Sequence, residues 1–369
     1  MEKLSIKEKI IYRFIFNERR VYKHWYSRFL ISGVNYNRIL RVISRIKNFY
    51  NWCAEWSKEG VVMENLAQKM LLKGYKYTAK NLFHEAAGCF HVGQHIYFLD
   101  IKQKNEAQDR ARKNYKNAIE LYEQSQKPIR IEIPFQNTII PGYLRLTDQK
   151  NRPLIIQING LDNIKEIENH YLGNFLLDAN LNIFAFDGPG QGEMWKNMKM
   201  IKEYEKVVST IIDWFENNTN YNINIKKIGT YGMSYGGYLS PRVAAYEKRI
   251  SCAVGNGGLG YLKEKPKKMN PIWIRDLLHV TGHKKINDVI SEWKELDIKK
   301  IPPLDRPLLF IQGGMDKLIP EPKKQADYIM DWATGEKELK FYPDGEHCCI
   351  NYLDEIIPYT IDWLIKILS

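Results

Sequence analysis

One serine in this sequence has neighbours that suit a nucleophile. Gly232-Met233-Ser234-Tyr235-Gly236 has the G-x-S-x-G pattern and lies between residues 225–231, which have strand character, and residues 237–247, which we predict to be helical. A glycine two positions before and after the serine lets a strand turn sharply into a helix without a steric clash. Such a turn lifts the hydroxyl to the end of a sheet, above a helix N-terminus. We therefore predict that Ser234 is the nucleophile of a serine hydrolase.

An acid and a base follow Ser234 in the order that a catalytic triad requires on this kind of sheet. Asp316 follows the apolar strand predicted at 308–312, and His347 follows a second strand predicted at 339–342. His347 would take the serine proton and return it to the leaving group, while Asp316 would hold the imidazole tautomer and stabilise the imidazolium. The alternative is that Asp316 forms a turn, His347 lies on the surface and Ser234 caps a helix. Three residues in the expected order favour the triad.

Serine hydrolases also need two backbone N–H groups that stabilise the oxyanion. We assign one to Tyr235, directly after the nucleophile, and the other to Leu161, in the loop after the strand predicted at 153–158. A further segment, 187–193, contains three glycines and a proline after the strand predicted at 181–186. We interpret it as a rigid turn beside the site, because no Lys-Ser/Thr pair follows that would favour phosphate binding.

From about Pro128 onward the chain resembles the α/β-hydrolase superfamily. The segments Asp187 to Trp195 (DGPGQGEMW), Gly345 to Asn351 (GEHCCIN) and Gly160-Leu161-Asp162 with Lys165-Glu166 resemble one branch of it. That branch contains fermentation-respiration-switch-like esterases, dihydroxypseudooxynicotine hydrolase and the fungal polyketide chain-shortening hydrolases. The resemblance implies the α/β-hydrolase fold, a mostly parallel sheet with helices on both faces. It also implies the triad roles of Ser234, Asp316 and His347.

The last two members of the branch cleave a carbon–carbon bond beside a ketone, and the resemblance implies a polyketide-like or aromatic small-molecule substrate here. Ester and thioester cleavage stay open, because they pass through the same tetrahedral intermediate. Acyl release or transfer from a carrier protein also stays open, as do peptide cleavage, which the Ser-Tyr-Gly-Gly run permits, and a non-catalytic binding or scaffold role. Glu264 and Trp273 are candidate substrate-binding residues. We expect no cofactor and no metal.

The domain organisation follows from the pattern of apolar residues. Residues 1–127 lack strand alternation and carry helical runs, whereas strands and helices alternate after Pro128. We predict an N-terminal all-helical cap domain at 1–127 and a catalytic domain at 128–369, with a lid insertion at about 261–305. The aromatic side chains Tyr97 and Phe98 are candidates for the pocket wall. The helices are predicted at roughly 4–30, 36–59, 61–74, 76–98 and 103–125, with breaks at Gly60, at Gly74 and near Asp100.

The positive charge is concentrated in the helical part. The formal net charge is +12; residues 1–130 carry 25 Lys and Arg against 12 Asp and Glu, and the remaining residues carry 30 against 31. Compositional bias is one explanation, and docking of an acidic carrier protein is another. Nucleic-acid binding is the least favoured, because no nucleic-acid-binding module is present.

The cysteines and the apolar runs indicate the compartment. Five cysteines without paired spacing predict buried thiols in a reducing environment. His91 and His95, four apart on a predicted helix, could form a metal pair, but core or capping histidines are the favoured interpretation. No signal peptide and no run long enough to span a membrane are evident, so we expect a cytoplasmic protein without a membrane partner. A homodimer is left open.

Overall fold

The computed structural model describes residues 25–262 and 271–369, together with residues 6, 9, 10 and 13. The chain divides into two compact units. The helical unit comprises residues 1–127 with 166–171 and 270–275. The sheet unit comprises residues 128–165, 172–269 and 276–369.

The helical unit has a core of aromatic rings that are tilted against one another. Phe29, Trp52 and Trp56 are fully buried or nearly so, and their ring centroids lie between 5.3 and 5.9 Å apart. Rings of this size supply most of the apolar area that such a core buries. Its described helices are Tyr26–Ile31, Tyr36–Arg45, Trp52–Leu72, Lys76–Gln94 and Ile101–Ile119.

One of the predicted helix breaks is wrong and another is confirmed. The helix Trp52–Leu72 continues through Gly60. A Cβ atom at that position would lie 2.8 Å from Cε2 of Phe90, so Gly60 allows close packing of two helices and does not end one. Gly74, in contrast, follows a helix end and has φ +78°, the left-handed conformation that favours glycine at this position.

The sheet unit contains, among the described residues, one eight-stranded sheet. Its strands are β1 Ile129–Phe135, β2 Thr138–Arg145, β3 Arg152–Ile158, β4 Asn182–Phe186, β5 Ile223–Met233, β6 Ile250–Asn256, β7 Leu308–Gly313 and β8 Lys337–Tyr342. Their order across the sheet is β1-β2-β4-β3-β5-β6-β7-β8. β1 pairs antiparallel with β2, and β2 with β4, whereas the pairs among β3 to β8 are all parallel. The predicted mostly parallel sheet is therefore confirmed.

Helices cover the sheet, so its central strands are buried on both faces. Every residue of β4 and β7 is buried, as expected for parallel strands between helical layers. Within the predicted insertion at 261–305, the described residues include the helices Pro271–Thr281 and Ile286–Trp293. The other helices after β3 are Glu168–Asp178, Glu205–Asn217, Tyr235–Tyr246, Pro322–Trp332 and Leu353–Leu368.

Parallel pairing brings the carboxyl ends of β3, β5, β7 and β8 to one edge of the sheet. Ligands of open α/β sheets bind at this edge. The loops that leave these four strands carry Leu161, Ser234, Asp316 and His347. No helix in the described part of the chain is long and apolar enough to cross a membrane.

Candidate active site

Ser234 occupies a sharp turn between β5 and a helix. The strand ends one residue before it and the helix begins one residue after it. Its φ of 60° and ψ of −121° are values that residues other than glycine rarely adopt. A Cβ atom on Gly232 would lie 2.1 Å from the carbonyl oxygen of Gly236, and one on Gly236 would lie 2.4 Å from that of Ile158. Both glycines of the motif are therefore required by packing.

The structure brings Ser234, His347 and Asp316 into one hydrogen-bonded series. Nε2 of His347 lies 2.9 Å from Oγ of Ser234, and Nδ1 lies 2.7 Å from Oδ2 of Asp316. The other carboxylate oxygen of Asp316 accepts the backbone N–H groups of Leu318 at 2.8 Å and Ile319 at 3.1 Å. The Asp316 side chain is completely buried, so these contacts fix its orientation.

The surroundings of His347 favour its protonated form. Burial of the imidazole by itself lowers the pKa, but the neighbouring Cys348 side chain and the Asp316 carboxylate outweigh it. As a result the pKa of His347 is raised well above its ordinary value. An imidazole of this kind can hold the proton that a serine nucleophile releases.

Asn256 connects the loops of Ser234 and His347, and the sequence did not indicate it. Its carbonyl oxygen accepts the N–H of Ser234 at 2.7 Å, and its side-chain amide donates to the carbonyl oxygen of Cys348 at 3.0 Å. Cys348 and Cys349 follow the histidine with φ values of 56° and 49°, so the loop is tightly bent where Asn256 holds it. The only sequence signal was a polar residue at the end of an apolar strand.

The loop after β3 lies against the serine turn. A Cβ atom on Gly160 would be 3.2 Å from Cβ of Ser234. The N–H of Gly160 is engaged by Oδ1 of Asn163. Among the described residues, the N–H groups of Leu161 and Tyr235 have no acceptor, and the second of these opens a helix, where first-turn N–H groups lack intrahelical partners. These are the two donors that the sequence predicted for an oxyanion hole.

The glycine-rich segment 187–193 forms a turn that contacts this loop. Oδ1 of Asp187 accepts the side-chain amide of Asn159 at 2.8 Å and the backbone N–H of Lys165 at 3.0 Å. Nζ of Lys165, itself fully buried, lies 2.7 Å from Oδ2 of Asp187 and 2.9 Å from a carboxylate oxygen of Glu193. A buried ion network thus anchors both ends of the loop that carries Leu161.

Three of the remaining predicted residues, Tyr97, Phe98 and Trp273, belong to the helical unit. Glu264 falls outside the described residues. Trp273 is partly buried against the aromatic core of the helical unit. Tyr97 and Phe98 belong to that same core, and the Tyr97 hydroxyl donates to the carbonyl oxygen of Tyr50 at 3.1 Å. Their substrate-binding roles stay predictions.

The two histidines considered as a metal pair and the cysteines are also buried. His91 binds a carboxylate oxygen of Glu168 through Nε2 at 2.8 Å and the side-chain amide of Gln94 through Nδ1 at 3.0 Å. His95 lies 6.0 Å from His91, measured between ring centroids. All five cysteines are buried thiols.

Comparison with known proteins reveals relatives along almost the whole chain. The 2,6-dihydropseudooxynicotine hydrolase of Paenarthrobacter nicotinovorans is 26% identical over 362 residues, which cover 93% of this chain and 91% of that protein. The 20-hydroxy-prefusarin hydrolase FUS2 of Gibberella moniliformis is 32% identical over 152 residues, about a third of each chain (38% and 36%). No protein-family model matches the chain.

Solved structures agree with these relatives. The crystal structure of 2,6-dihydroxy-pseudo-oxynicotine hydrolase superposes with a TM-score of 0.83 at 25% identity and covers 93% of this chain and 96% of that one. Wild-type AbyA5 superposes with a TM-score of 0.72 at 13% identity, over 92% and 93% of the two chains, which shows a shared fold. The predicted resemblance to this branch is confirmed, and the chain is a hydrolase with the α/β-hydrolase fold.

Proposed function

We propose that this enzyme is a serine hydrolase that cleaves a carbon–carbon bond beside a ketone in a polyketide-like or aromatic small molecule. The observation that carries the proposal is the hydrogen-bonded series from Ser234 through His347 to Asp316. It lies at the edge of the sheet where two backbone N–H groups, those of Leu161 and Tyr235, have no other acceptor among the described residues.

In the proposed reaction, Oγ of Ser234 attacks the ketone carbon while His347 takes the hydroxyl proton. The ketone oxygen becomes an oxyanion that the N–H groups of Leu161 and Tyr235 stabilise. The carbon–carbon bond then breaks, and its electron pair leaves with the departing carbon as an enolate. His347 returns the proton to that carbon, and water, activated by the same imidazole, hydrolyses the acyl enzyme to a carboxylic acid.

The choice of a carbon–carbon bond rests on the relatives. A hydrolase with a pseudooxynicotine substrate in its name matches nearly the full chain, and hydrolases named for fungal products match parts of it. Ester and thioester cleavage use the same nucleophile and oxyanion hole, and only the leaving group differs. The cap role that the sequence predicts for the helical unit stays a prediction.

The test combines labelling and turnover. Wild-type enzyme should react covalently with a fluorophosphonate probe, and Ser234→Ala should not. Ser234→Ala should also lose about 10⁴-fold or more in kcat on benzoylacetone, a diketone, and on 4-nitrophenyl butyrate, an ester. Ser251→Ala is the matched control and should behave as wild type, because Ser251 lies on a neighbouring strand and its hydroxyl, among the described residues, donates to the backbone carbonyl of Lys226.

The acid and the ketone formed from benzoylacetone identify the bond that breaks, and oxygen-18 water shows that water attacks the acyl group. Hydrolysis of benzoylacetone should place one heavy oxygen in the carboxylic acid and none in the ketone that leaves. Turnover of the ester without any turnover of diketones would favour the esterase alternative. Labelling or turnover that persists in Ser234→Ala would refute the serine mechanism.

A further inference from the structure

We propose that Gln191 is a positioning residue that sets the direction of the Leu161 N–H group and thereby builds one half of the oxyanion hole, a role that rests on the hydrolase function proposed above. Gln191 lies in the turn at 187–193, outside the series of Ser234, His347 and Asp316. It is only 2% exposed.

The Gln191 amide uses its full hydrogen-bonding capacity. Nε2 donates to the carbonyl oxygens of Asn159 at 2.8 Å and Gly160 at 2.7 Å. Oε1 accepts the N–H of Gly188 at 3.1 Å and the hydroxyl of Tyr204 at 2.8 Å. Two carbonyls require the NH₂ group and a backbone N–H requires the oxygen, so the amide has only one satisfactory orientation.

The contact to Gly160 determines where the next N–H points. The carbonyl of Gly160 and the N–H of Leu161 belong to the same peptide group, which is planar and trans, so they point in opposite directions. Holding the carbonyl oxygen on Gln191 therefore directs the Leu161 N–H away from Gln191. Glycine at position 160 restricts this peptide group little by itself, so the hydrogen bond has to do so.

The neighbouring peptide group is held in the same way but cannot supply the donor. Its carbonyl, on Asn159, also accepts from Gln191, and its N–H, on Gly160, is engaged by Asn163. Among the described residues, the N–H of Leu161 is therefore the first in this loop that lacks an acceptor. Gln191 holds two consecutive carbonyls on one side and leaves that N–H on the other.

The hydroxyl of Tyr204 contacts the amide oxygen of Gln191. It is fully buried, and burial raises the pKa of its hydroxyl well above the ordinary value, so it remains a donor to Oε1. A Cβ atom on Gly188 would lie 2.1 Å from this hydroxyl, so glycine at 188 makes room for the contact. The hydroxyl of Tyr204 is therefore one of two donors to Oε1, and the N–H of Gly188 remains on that oxygen when the hydroxyl is removed.

The test compares Gln191→Met, which keeps length but donates nothing, with Tyr204→Phe, which leaves both Nε2 contacts intact. Since loss of a whole oxyanion donor costs about 10²–10³ in kcat, Gln191→Met should lower kcat about 10- to 100-fold with KM within about threefold. Binding of a trifluoromethyl ketone, whose hemiketal oxyanion occupies the hole, should weaken by the factor lost in kcat/KM. Tyr204→Phe should change kcat less than about threefold.

A purely structural role makes a different prediction. The positioning role is refuted if Gln191→Met lowers only the melting temperature. In that case kcat per fluorophosphonate-titrated site and the affinity for the trifluoromethyl ketone would both stay at the wild-type level. Should that variant not fold, Gln191→Leu, which also donates no hydrogen bond, gives the same comparison. Wild-type enzyme that neither turns over nor labels would refute the proposed function instead, so the two failures are distinguishable.

Discussion

Replacing Asp316 with asparagine should nearly abolish hydrolysis without disturbing the fold. The two backbone N–H groups of Leu318 and Ile319 bind one carboxylate oxygen, and His347 binds the other. The single oxygen of an asparagine would stay on the two N–H groups, so its NH₂ group would face Nδ1 of His347. That nitrogen would then have to accept a hydrogen bond, the proton would move to Nε2, and Nε2 could no longer take the proton of Ser234.

The expected loss in kcat is about 10⁴-fold, the size known for the wrong histidine tautomer in a serine protease. This corresponds to about 5.4 kcal/mol of activation free energy, because each factor of ten costs about 1.36 kcal/mol. The loss in kcat is expected to be this large because the Asp316 side chain is completely buried, so no water can take the place of its carboxylate beside the imidazole.

The pH profile provides a second measurement. In the wild type the pKa of His347 is raised, because the Cys348 side chain and the Asp316 carboxylate outweigh the opposing effect of burial. Activity needs the neutral imidazole, so it should fall as pH drops through that raised pKa. Without the carboxylate the imidazolium loses a stabilising partner, and the acid limb of the residual activity should move to lower pH.

The same shift affects stability. A raised histidine pKa stabilises the folded state fully below the unfolded value of about 6.5, and this contribution disappears as pH rises through the folded pKa. The variant should therefore lose most stability, relative to wild type, on the acid side.

The assay is hydrolysis of 4-nitrophenyl butyrate across pH, normalised to fluorophosphonate-reactive sites. Asp344→Asn is the matched control, because Asp344 is an exposed carboxylate three positions before His347 in the sequence, and among the described residues its side chain accepts from the Tyr352 hydroxyl at 2.6 Å. It should keep wild-type kcat and the wild-type acid limb. An Asp316→Asn enzyme with more than about a tenth of wild-type kcat, or with an unmoved acid limb, would refute the tautomer argument.

Two further outcomes are expected. Lys165→Met should lower the free energy of unfolding, measured in urea, by about 3–5 kcal/mol, because it leaves the fully buried Asp187 carboxylate without its cation. The control Lys226→Met, at an exposed position, should lower it by less than about 0.5 kcal/mol. Equal losses in the two variants would contradict the buried network. If the helical unit docks an acidic carrier protein, turnover of a carrier-bound thioester should fall steeply with salt and the exposed Lys47→Glu should raise KM for that substrate alone. Equal salt responses of the thioester and a small ester would favour compositional bias.

The order and types of the reactive residues could be derived from the sequence because each is a local property of the chain. A glycine two positions on either side of Ser234 marks a sharp turn, and Asp316 and His347 each follow a recognisable strand. Parallel strands place such positions at one edge of the sheet, so the predicted order was enough to expect the three side chains together. Gly60 shows the limit of local inference, since a glycine at this position predicts a helix break, whereas in the structure it packs against Phe90.

The side-chain amides that contact the loops of the candidate site could be recognised only in the tertiary structure. Asn256 contacts Cys348 across 92 positions, and Gln191 reaches the carbonyl oxygens of Asn159 and Gly160 across 32 and 31. A side-chain amide carries no local signature of the carbonyl it will meet, because its partner is chosen by the packing of strands and turns. The sequence could therefore suggest Leu161 as a donor, whereas the contacts of Gln191 to the two carbonyls that precede its N–H are seen only in the folded chain.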